Sequence, residues 1–480
     1  MNRYLYLAFL IFVPALLRAE PPIAQIAFRN DAWAGNDPSP PIVIGGVAYW
    51  HDVVNSSGGD RILSYPGGLV ASDDRTNAVA GDFPVGFPED DFNGNLLVLG
   101  RYFEDNGDGF SILNTLVQFP GGTDLITPFS AFPDGIPSND SIQIQAGLYD
   151  SDGSIVFAMR QVAPPNVLFT ALARYKGGSI TILVKSGETP FPGGGTNTFT
   201  TVGEGFSTQG GTTFFYGEGL SGGTTTYGVY QLTGGIITKV LENLDPWPAG
   251  TGTVGILGSS DVGFANEGQD VAIATTGAVF KRVGGIWSLI AKADDPIPDG
   301  NGVFYDYAAP SIHNGVVLFY GERNNPFALP VQVGLYLQSA AGGYTPVADL
   351  NDNFNGMTVD YMLVPDYGGR YWDGEDVAFS VDSPNLTNTA DYYAVSGPGG
   401  SPPMGGTTNT LHIGSFSPGS HGGTPSFSFQ TGSGVSYHIQ VSSNLMSWTS
   451  ITQFTGDGTI TTISNLPAGG KSQFYRVASP

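Results

Sequence analysis

The chain has 480 residues, and 42 acidic against 18 basic side chains give it a formal net charge of −24. Such an acidic protein repels phosphate backbones and anionic lipid, so we expect no nucleic-acid partner. The absence of cysteine excludes disulfides, thiolate-bound zinc and the lipidated cysteine of a lipoprotein. Only 12% of the residues are charged and 12% are aromatic, which predicts a folded all-β protein with a surface of neutral polar groups and turns.

The chain begins with an apolar run, residues 4–17, which follows Arg3 and precedes Ala19. This pattern predicts a secretory signal peptide over residues 1–19. The alternative is a membrane anchor, but the run is interrupted by Pro14 and is shorter than the roughly 20 residues that span a bilayer. We therefore expect a secreted protein, extracellular or associated with the cell surface, without an integral membrane segment after signal removal.

A glycine pair follows a short strand-like segment seven times between residues 20 and 400. The second glycines of these pairs are Gly68, Gly122, Gly178, Gly235, Gly285, Gly343 and Gly400, and their separations are 54, 56, 57, 50, 58 and 57 residues. So regular a spacing indicates tandem repeats.

Each repeat contains four candidate strands. An apolar run such as residues 270–274 precedes each glycine pair, and a further strand such as 286–292 follows most of the pairs. A less regular strand, for example 303–312, comes before the apolar run. Four strands in about 55 residues fit a β-propeller blade better than a β-helix coil or an immunoglobulin-like sandwich. The sequence predicts a seven-bladed β-propeller over residues 20–400.

Three consecutive repeats are joined by Pro-x-Pro-x-Gly segments, within residues 189–199, 245–252 and 294–304. Proline removes backbone donors and glycine permits a reversal, so we expect spacers that cross between sheets without joining either one.

The last repeat lacks a strand after its glycine pair. The N-terminal segment 23–29 either supplies that strand, so that both ends of the chain build one blade, or forms the first strand of the first blade.

Residues 401–411 are rich in Gly, Pro, Ser and Thr and predict a linker. Residues 412–480 predict a small β-sandwich with a hairpin turned by Gly456 and Gly458. Its strands are expected at 425–431, 436–443, 448–454, 459–466 and 472–478. The stretch YHIQVSSNLMSWTSI, followed by GDGT and FYRV, resembles a C-terminal module of exported Gram-negative proteins. That resemblance implies sorting or surface attachment and supplies no catalytic residue.

The repeat region also resembles an uncharacterised family of secreted bacterial proteins with tandem propeller-like units. The matching features are GVYxxxGG at 228–235, NGVVLF at 314–319 and the Pro-x-Pro-x-Gly spacers. The resemblance implies a fold and an extracellular location, but no reaction.

No residue pattern identifies an active site. The sequence contains no metalloprotease, nucleophile-elbow or phosphate-loop motif, and the five histidines lack metal-ligand or triad spacing (His51, His313, His412, His421, His438). The acidic loops 104–109 and 349–356 offer oxygen ligands for calcium, but Asp-Gly and Asn-Gly are ordinary turn formers, and Thr115 stands where an EF-hand needs glutamate.

The aromatic and basic side chains do not identify an active site either. Trp247 and Trp372 stack on a sugar ring, wedge between blades or cover a sheet edge. The arginines form no readable constellation (Arg61, Arg101, Arg160, Arg174, Arg282, Arg323, Arg370). We therefore assign no catalytic residue, no cofactor and no metal site.

Three functions agree with this sequence. The first is a non-enzymatic propeller that binds or displays, with an extracellular glycan or a cell-surface component as partner. The second is a propeller enzyme, of glycosidase or lyase type, acting on extracellular polysaccharide. The third is a structural component of the cell surface or matrix.

Overall fold

A computed structural model describes residues 23–28, 41–54, 59–65, 68–72, 87–105, 110–119, 123–349 and 361–396, with gaps at 134, 140, 164, 256–261, 299–301, 324–331, 339–342, 365–367 and 383–389. It also describes six strands between 413 and 478. All regular secondary structure in these residues is β, and none of them belongs to a helix of the length and hydrophobicity that a membrane span requires. The chain divides into two compact units, Met1–Gly400 and Ser401–Pro480.

The described part of the first unit forms seven antiparallel four-stranded sheets, numbered here in chain order. Sheets 1 to 3 comprise β2 (Ile42–Ile44), β3 (Val47–Val54), β4 (Gly59–Tyr65), β5 (Gly68–Ser72); β6 (Phe87–Phe92), β7 (Asn95–Asp105), β8 (Phe110–Phe119), β9 (Thr123–Ile126); and β10 (Ile142–Tyr149), β11 (Ile155–Ala163), β12 (Asn166–Lys176), β13 (Ser179–Lys185). Sheets 4 to 6 comprise β14 (Phe199–Gln209), β15 (Thr212–Ser221), β16 (Thr224–Thr233), β17 (Ile236–Glu242); β18 (Val262–Glu267), β19 (Asp270–Thr275), β20 (Ala278–Val283), β21 (Ile286–Lys292); and β22 (Phe304–His313), β23 (Val316–Arg323), β24 (Gln332–Gln338), β25 (Tyr344–Asp349). Sheet 7 comprises β1 (Ile23–Phe28), β26 (Tyr361–Leu363), β27 (Asp376–Asp382) and β28 (Ala390–Ser396).

Turn chemistry and strand burial explain these elements. The glycine pair 177–178 has φ angles of +56° and +82°, the backbone of a two-residue hairpin turn that glycine enters without steric strain. Apolar runs such as β19 are buried along almost their whole length, because both faces of the sheet are covered.

The sheets form a closed ring through apolar clusters that join each sheet to the next. Val43 and Ala48 of sheet 1 pack on Ala378 of sheet 7 and complete the circuit. The predicted all-β class and propeller arrangement are confirmed.

The two ends of the first unit meet in sheet 7. The N-terminal strand β1 pairs antiparallel with β28, with Ile23 opposite Val395 and Phe28 opposite Asp391. Of the two sequence-based alternatives, the one in which the N-terminal segment fills the vacant place in the last repeat is therefore correct.

The Pro-x-Pro-x-Gly segments fold back on themselves rather than crossing in an extended form. Pro190, Pro246 and Pro296 form isolated bridges to residues eight, seven and seven positions further on. The side chain between the two prolines points inward in each spacer. Phe191 and Ile297 are buried, and Trp247 packs edge-on against Phe280 at 5.6 Å between ring centroids. The spacers thus contribute to the cores that the sequence only expected them to connect.

The second unit contains two three-stranded sheets. Their strands are β29 (Ile413–Ser417), β30 (Ser426–Gln430) and β33 (Ile460–Ile463) in one sheet, and β31 (Ser436–Ser442), β32 (Thr449–Thr455) and β34 (Phe474–Ala478) in the other. All five predicted strands are present, and β29 is additional. The predicted hairpin at Gly456 and Gly458 is wrong, because β32 and β33 belong to different sheets.

Candidate functional site

The first strands of the sheets lie around the axis of the ring, since the first strands of sheets 1 to 6 contact one another in sequence. In these six sheets a turn of two to five residues leads to the second strand. In sheet 7 twelve residues separate the first two strands. The structure describes 364 and 368–375 of these, and Tyr371 and Trp372 pair with the start of β27.

Residues 368–372, which we call the axial plug, contact the first strands of all six other sheets. The backbone of Gly368 donates to Phe264 at 3.2 Å, and the Arg370 carbonyl accepts from Val43 at 2.5 Å. The Ser311 hydroxyl donates to the Gly369 carbonyl at 2.7 Å. Tyr371 also contacts Ala309, and Arg370 contacts Asp90 and Thr208. Leu148 of the third sheet lies 3.2 Å from the place that a Cβ atom on Gly368 would take. The plug therefore lies on the axis of the ring.

Two glycines make this close approach possible. Gly368 and Gly369 have φ angles of +75° and +63°, which side-chain-bearing residues rarely adopt. A Cβ atom on Gly369 would lie 2.7 Å from the Ala265 Cβ and 3.0 Å from the Ser311 Cα. Neither contact can relax by rotating a flexible side chain, so this position requires glycine.

Arg370 carries a positive charge to the axis, where it meets the acidic strand β6. Its guanidinium lies 3.0 Å from the Asp90 Oδ2, and the Asp90 side chain is only 3% exposed. The same carboxylate accepts backbone hydrogen bonds from Tyr149 and Asp91, each at 2.9 Å. Asp90 thus joins three elements: its own strand, the strand β10 of the next sheet, and the plug.

Burial also governs the neighbouring ionisable groups. Glu89 is half-buried by surface area, yet protein atoms crowd its carboxyl, and this desolvation raises its pKa to about 8. A hydrogen bond from Gly147 opposes the rise, and the charge of Asp90 adds to it. Burial raises the pKa of Asp90, while Arg370 lowers it. Burial and the two aspartates raise the pKa of Tyr149 to about 12. At neutral pH, Glu89 and Tyr149 keep their protons.

A second arginine–aspartate pair lies on sheet 3. Arg174 contacts the Asp150 carboxylate at 3.1 Å, and the other oxygen of this carboxylate accepts from the backbone of Gly211 in sheet 4 at 3.0 Å. This acceptance of a neighbouring turn amide recurs at two other junctions, where Asn314 donates to Glu267 and Gly46 donates to Asp373, both at 2.6 Å. These carboxylates fasten adjacent sheets together.

The axial cluster therefore combines a tightly bound carboxylate with a proton-holding one. The described contacts of Asp90 engage both of its oxygens, so we assign it to anchorage. Glu89 is chemically able to donate a proton at neutral pH. Among the described residues, no group of three or more His, Cys, Asp or Glu is arranged to hold a metal ion.

The structure places the tryptophans and histidines that the sequence drew attention to in different environments. Trp372 is 6% exposed and packs in the core between sheets 6 and 7, and Trp247 packs between sheets 4 and 5, as wedges do. His313 is partly exposed and lies 3.9 Å from Glu267. The side chains of His51 and His438, residues His412 and His421, and most of the loops 104–109 and 349–356 lie outside the described residues.

Sequence reasoning missed the axial cluster. Arg370 was one of twelve arginines in the chain and belonged to no readable pattern, and residues 89–91 were three acids among 42. The available signal was the unusual length of the link between the first two strands of the last repeat, which contains Gly-Gly-Arg-Tyr-Trp.

Several solved structures are similar in fold to this chain. One is the β-propeller domain of the Trilobed protease from Pyrococcus furiosus, described as having an open velcro topology, with 9% identity, coverage of 75% of this chain and 94% of that chain, and a TM-score of 0.41. Another is the acylaminoacyl peptidase of Pyrococcus horikoshii, with 10% identity, coverage of 84% and 60%, and a TM-score of 0.43. A third is an α-L-arabinofuranosidase from Podospora anserina in complex with cellotriose, with 10% identity, coverage of 68% and 95%, and a TM-score of 0.26.

No curated protein matches this chain in sequence. A family model does match, over residues 100–376, which include sheets 3 to 6 completely and the whole axial plug. The chain belongs to this family, the family of unknown function DUF7453.

Proposed function

We propose that the first unit is a seven-bladed β-propeller that works as a non-enzymatic binding or display scaffold in the extracellular space. Seven four-stranded sheets and the closed circuit of apolar clusters support the blade number. The apolar N-terminal run supports secretion.

The distribution of exposed apolar side chains carries this proposal. In each sheet the link from the second to the third strand, and the link to the next sheet, lie at one end of the ring, which we call the loop end. Among the described residues, seven of the ten exposed large apolar side chains lie there: Phe129, Val167, Leu168, Leu220, Leu244, Val303 and Tyr305. The other three are Ile236, Ile286 and Val316, at the end that carries the plug.

Exposed apolar surface concentrated on one face is typical of an interaction site. Phe129 and Tyr305 are about half exposed, at 54% and 46%, and present aromatic rings on which a sugar ring can stack. The proposed ligand is therefore an extracellular glycan, bound at the loop end, while the plug closes the axis at the opposite end.

A glycan array with the secreted full-length protein tests this proposal. We expect binding to a restricted set of polysaccharides, with a loss of about tenfold in affinity for Tyr305→Ala and for Phe129→Ala, since a stacked ring contributes on the order of 1 kcal/mol. Ile286→Ala, at the plug end and more exposed to solvent than either ring, at 73%, is the control. Binding unaffected by both aromatic substitutions, or no glycan bound at all, would contradict the proposal.

One observation favours a second function, an enzyme acting on extracellular polysaccharide. Glu89 holds its proton at neutral pH beside the carboxylate of Asp90, and a paired acid and carboxylate are what glycoside cleavage uses. Release of reducing sugar from a polysaccharide panel by the native protein, abolished in Glu89→Gln, would establish this function instead.

For the second unit we propose a β-sandwich that attaches the protein to the cell surface. Its two sheets, each of three described strands, supply the layers that such a sandwich needs. Retention on the cell surface should be lost when residues 411–480 are deleted, while secretion continues. Unchanged retention of the truncated protein would assign attachment to the first unit.

A further inference from the structure

The axial plug is held by two kinds of contact. Hydrogen bonds from neutral groups fix its backbone, namely those with Val43, Phe264 and Ser311. The Arg370 side chain makes one charged contact, with Asp90, and also donates to the neutral Thr208 carbonyl at 3.5 Å. A guanidinium keeps its charge throughout the accessible pH range, whereas a carboxylate does not. The strength of the charged contact therefore depends on whether Asp90 carries a proton.

We infer that the plug is a proton-sensitive closure of the ring axis. When the Asp90 carboxylate takes up a proton as the pH falls, it loses the charge that binds Arg370, and residues 368–370 loosen from the axis while Tyr371 and Trp372 stay in the core. The plug reseats when the proton leaves. This inference concerns the end of the ring opposite the proposed glycan face and does not depend on that proposal.

Asp90 is the carboxylate that the described ion pairs place against Arg370. The first strands of sheets 1, 4, 5 and 6 contact the plug through backbone groups, the Ser311 hydroxyl and apolar atoms. Strand β6 brings Glu89, Asp90 and Asp91, and the neighbouring strands bring Tyr149 and Tyr49. Below pH 8 Glu89 is protonated and does not compete for Arg370, and the two tyrosines stay neutral. Burial raises the pKa of Asp90, so this carboxyl takes up a proton at a higher pH than an exposed aspartate does.

The two glycines give the plug the means to move. Gly368 and Gly369 have positive φ angles and no side chains, so the segment can change its backbone path at low conformational cost. Arg370 is also 22% exposed, so its charge has access to water when the ion pair is lost.

Hydrogen–deuterium exchange of the full-length protein between pH 5 and pH 8 tests the inference. After correction for the intrinsic pH dependence of exchange, peptides covering residues 368–372 should exchange at least about tenfold faster at pH 5 than at pH 7.5, the effect of losing one charge-assisted hydrogen bond. Equal corrected exchange at the two pH values would overturn the inference, and this measurement needs no variant.

Two variants sharpen the test. Asp90→Asn should exchange quickly in the plug at every pH and should show no acid response. Asp150→Asn removes a second arginine-paired aspartate among the described residues, whose described contacts do not include the plug, and should leave the acid response intact. If Asp90→Asn does not fold, Arg370→Met provides the same test. An acid response that persists in either plug variant would overturn the inference.

Discussion

Sheets 4 and 7 show how one repeat differs from the others. In sheet 4 the first strand runs continuously from Phe199 to Gln209, and two glycines turn it into the second strand. In sheet 7 the described part of the first strand has three residues, the axial plug follows it, and the outer strand comes from the other end of the chain. The regular sheets therefore bury their faces against their neighbours. Sheet 7 in addition joins the two ends of the first unit through β1 and places the plug on the axis.

The local contacts of the two sheets differ in the same way. In sheet 4 the recurring features of the repeat meet one another, as where Phe199 packs edge-on with Tyr230 at 5.1 Å. In sheet 7 the plug meets residues of every other sheet. A substitution in sheet 4 should therefore perturb packing mainly near that sheet, whereas a substitution in the plug should perturb contacts with all the other sheets.

The largest effect should come from removing the plug's charge. Arg370→Met leaves the buried Asp90 without its counter-ion, and breaking such a pair costs about 3 kcal/mol of unfolding free energy at pH 7. The loss should shrink at pH 5, because Asp90 can then take up a proton. Urea unfolding of Arg370→Met and of Arg174→Met at both pH values measures this. Equal losses in the two variants would show that the plug has no special role.

A somewhat smaller loss is expected for Gly369→Ala. The added methyl group would lie within 3.0 Å of backbone and Cβ atoms, and alanine would have to adopt a left-handed backbone conformation. Together these effects should lower the free energy of unfolding by about 2 kcal/mol. Gly177→Ala is the matched control, since Gly177, in a turn of sheet 3, has a similar φ of +56° but no atom within 4 Å of the place that an added methyl group would take. Thermal unfolding should rank wild type above Gly177→Ala, and Gly177→Ala above Gly369→Ala. The reverse order of the two variants would refute the packing argument.

The smallest effect should be a pH-dependent stabilisation by Glu89→Gln. Folded Glu89 keeps its proton up to pH about 8, whereas the unfolded chain releases it near 4.5. Its favourable contribution is therefore complete below pH 4.5 and is lost as the pH rises through 8. Glutamine resembles the protonated acid at every pH, so the variant should match wild type at pH 4.

At pH 8.5 the melting temperature of Glu89→Gln should exceed that of wild type by about 2–4 °C, a modest shift because the side chain is partly exposed. Glu188→Gln, which breaks an exposed pair with Lys185, serves as the control and should show no such trend. A difference between Glu89→Gln and wild type that is the same at pH 4 and pH 8.5 would exclude Glu89 as the titrating group.

The repeat could be read from the sequence because its signals are local. The glycine pair at 234–235 and the apolar run at 212–217 identify a turn and a buried strand without reference to any other part of the chain. The predicted strand at 236–242 coincides with β17, and that at 286–292 coincides with β21. The inward side chains of the spacers, such as Phe191, were not predicted, because a proline-rich segment gives no periodic signal of its own.

The amino-acid sequence by itself determined the all-β class, the four-stranded repeat and the turns, because alternating burial and glycine conformations act over a few neighbouring residues. Only the tertiary structure decided that β1 pairs with β28, that Arg370 meets Asp90, and that β32 and β33 lie in different sheets. Each of these contacts joins residues whose proximity follows from closing or layering whole sheets. No local pattern encodes it, since any of the 42 acidic side chains would satisfy an arginine equally well in isolation.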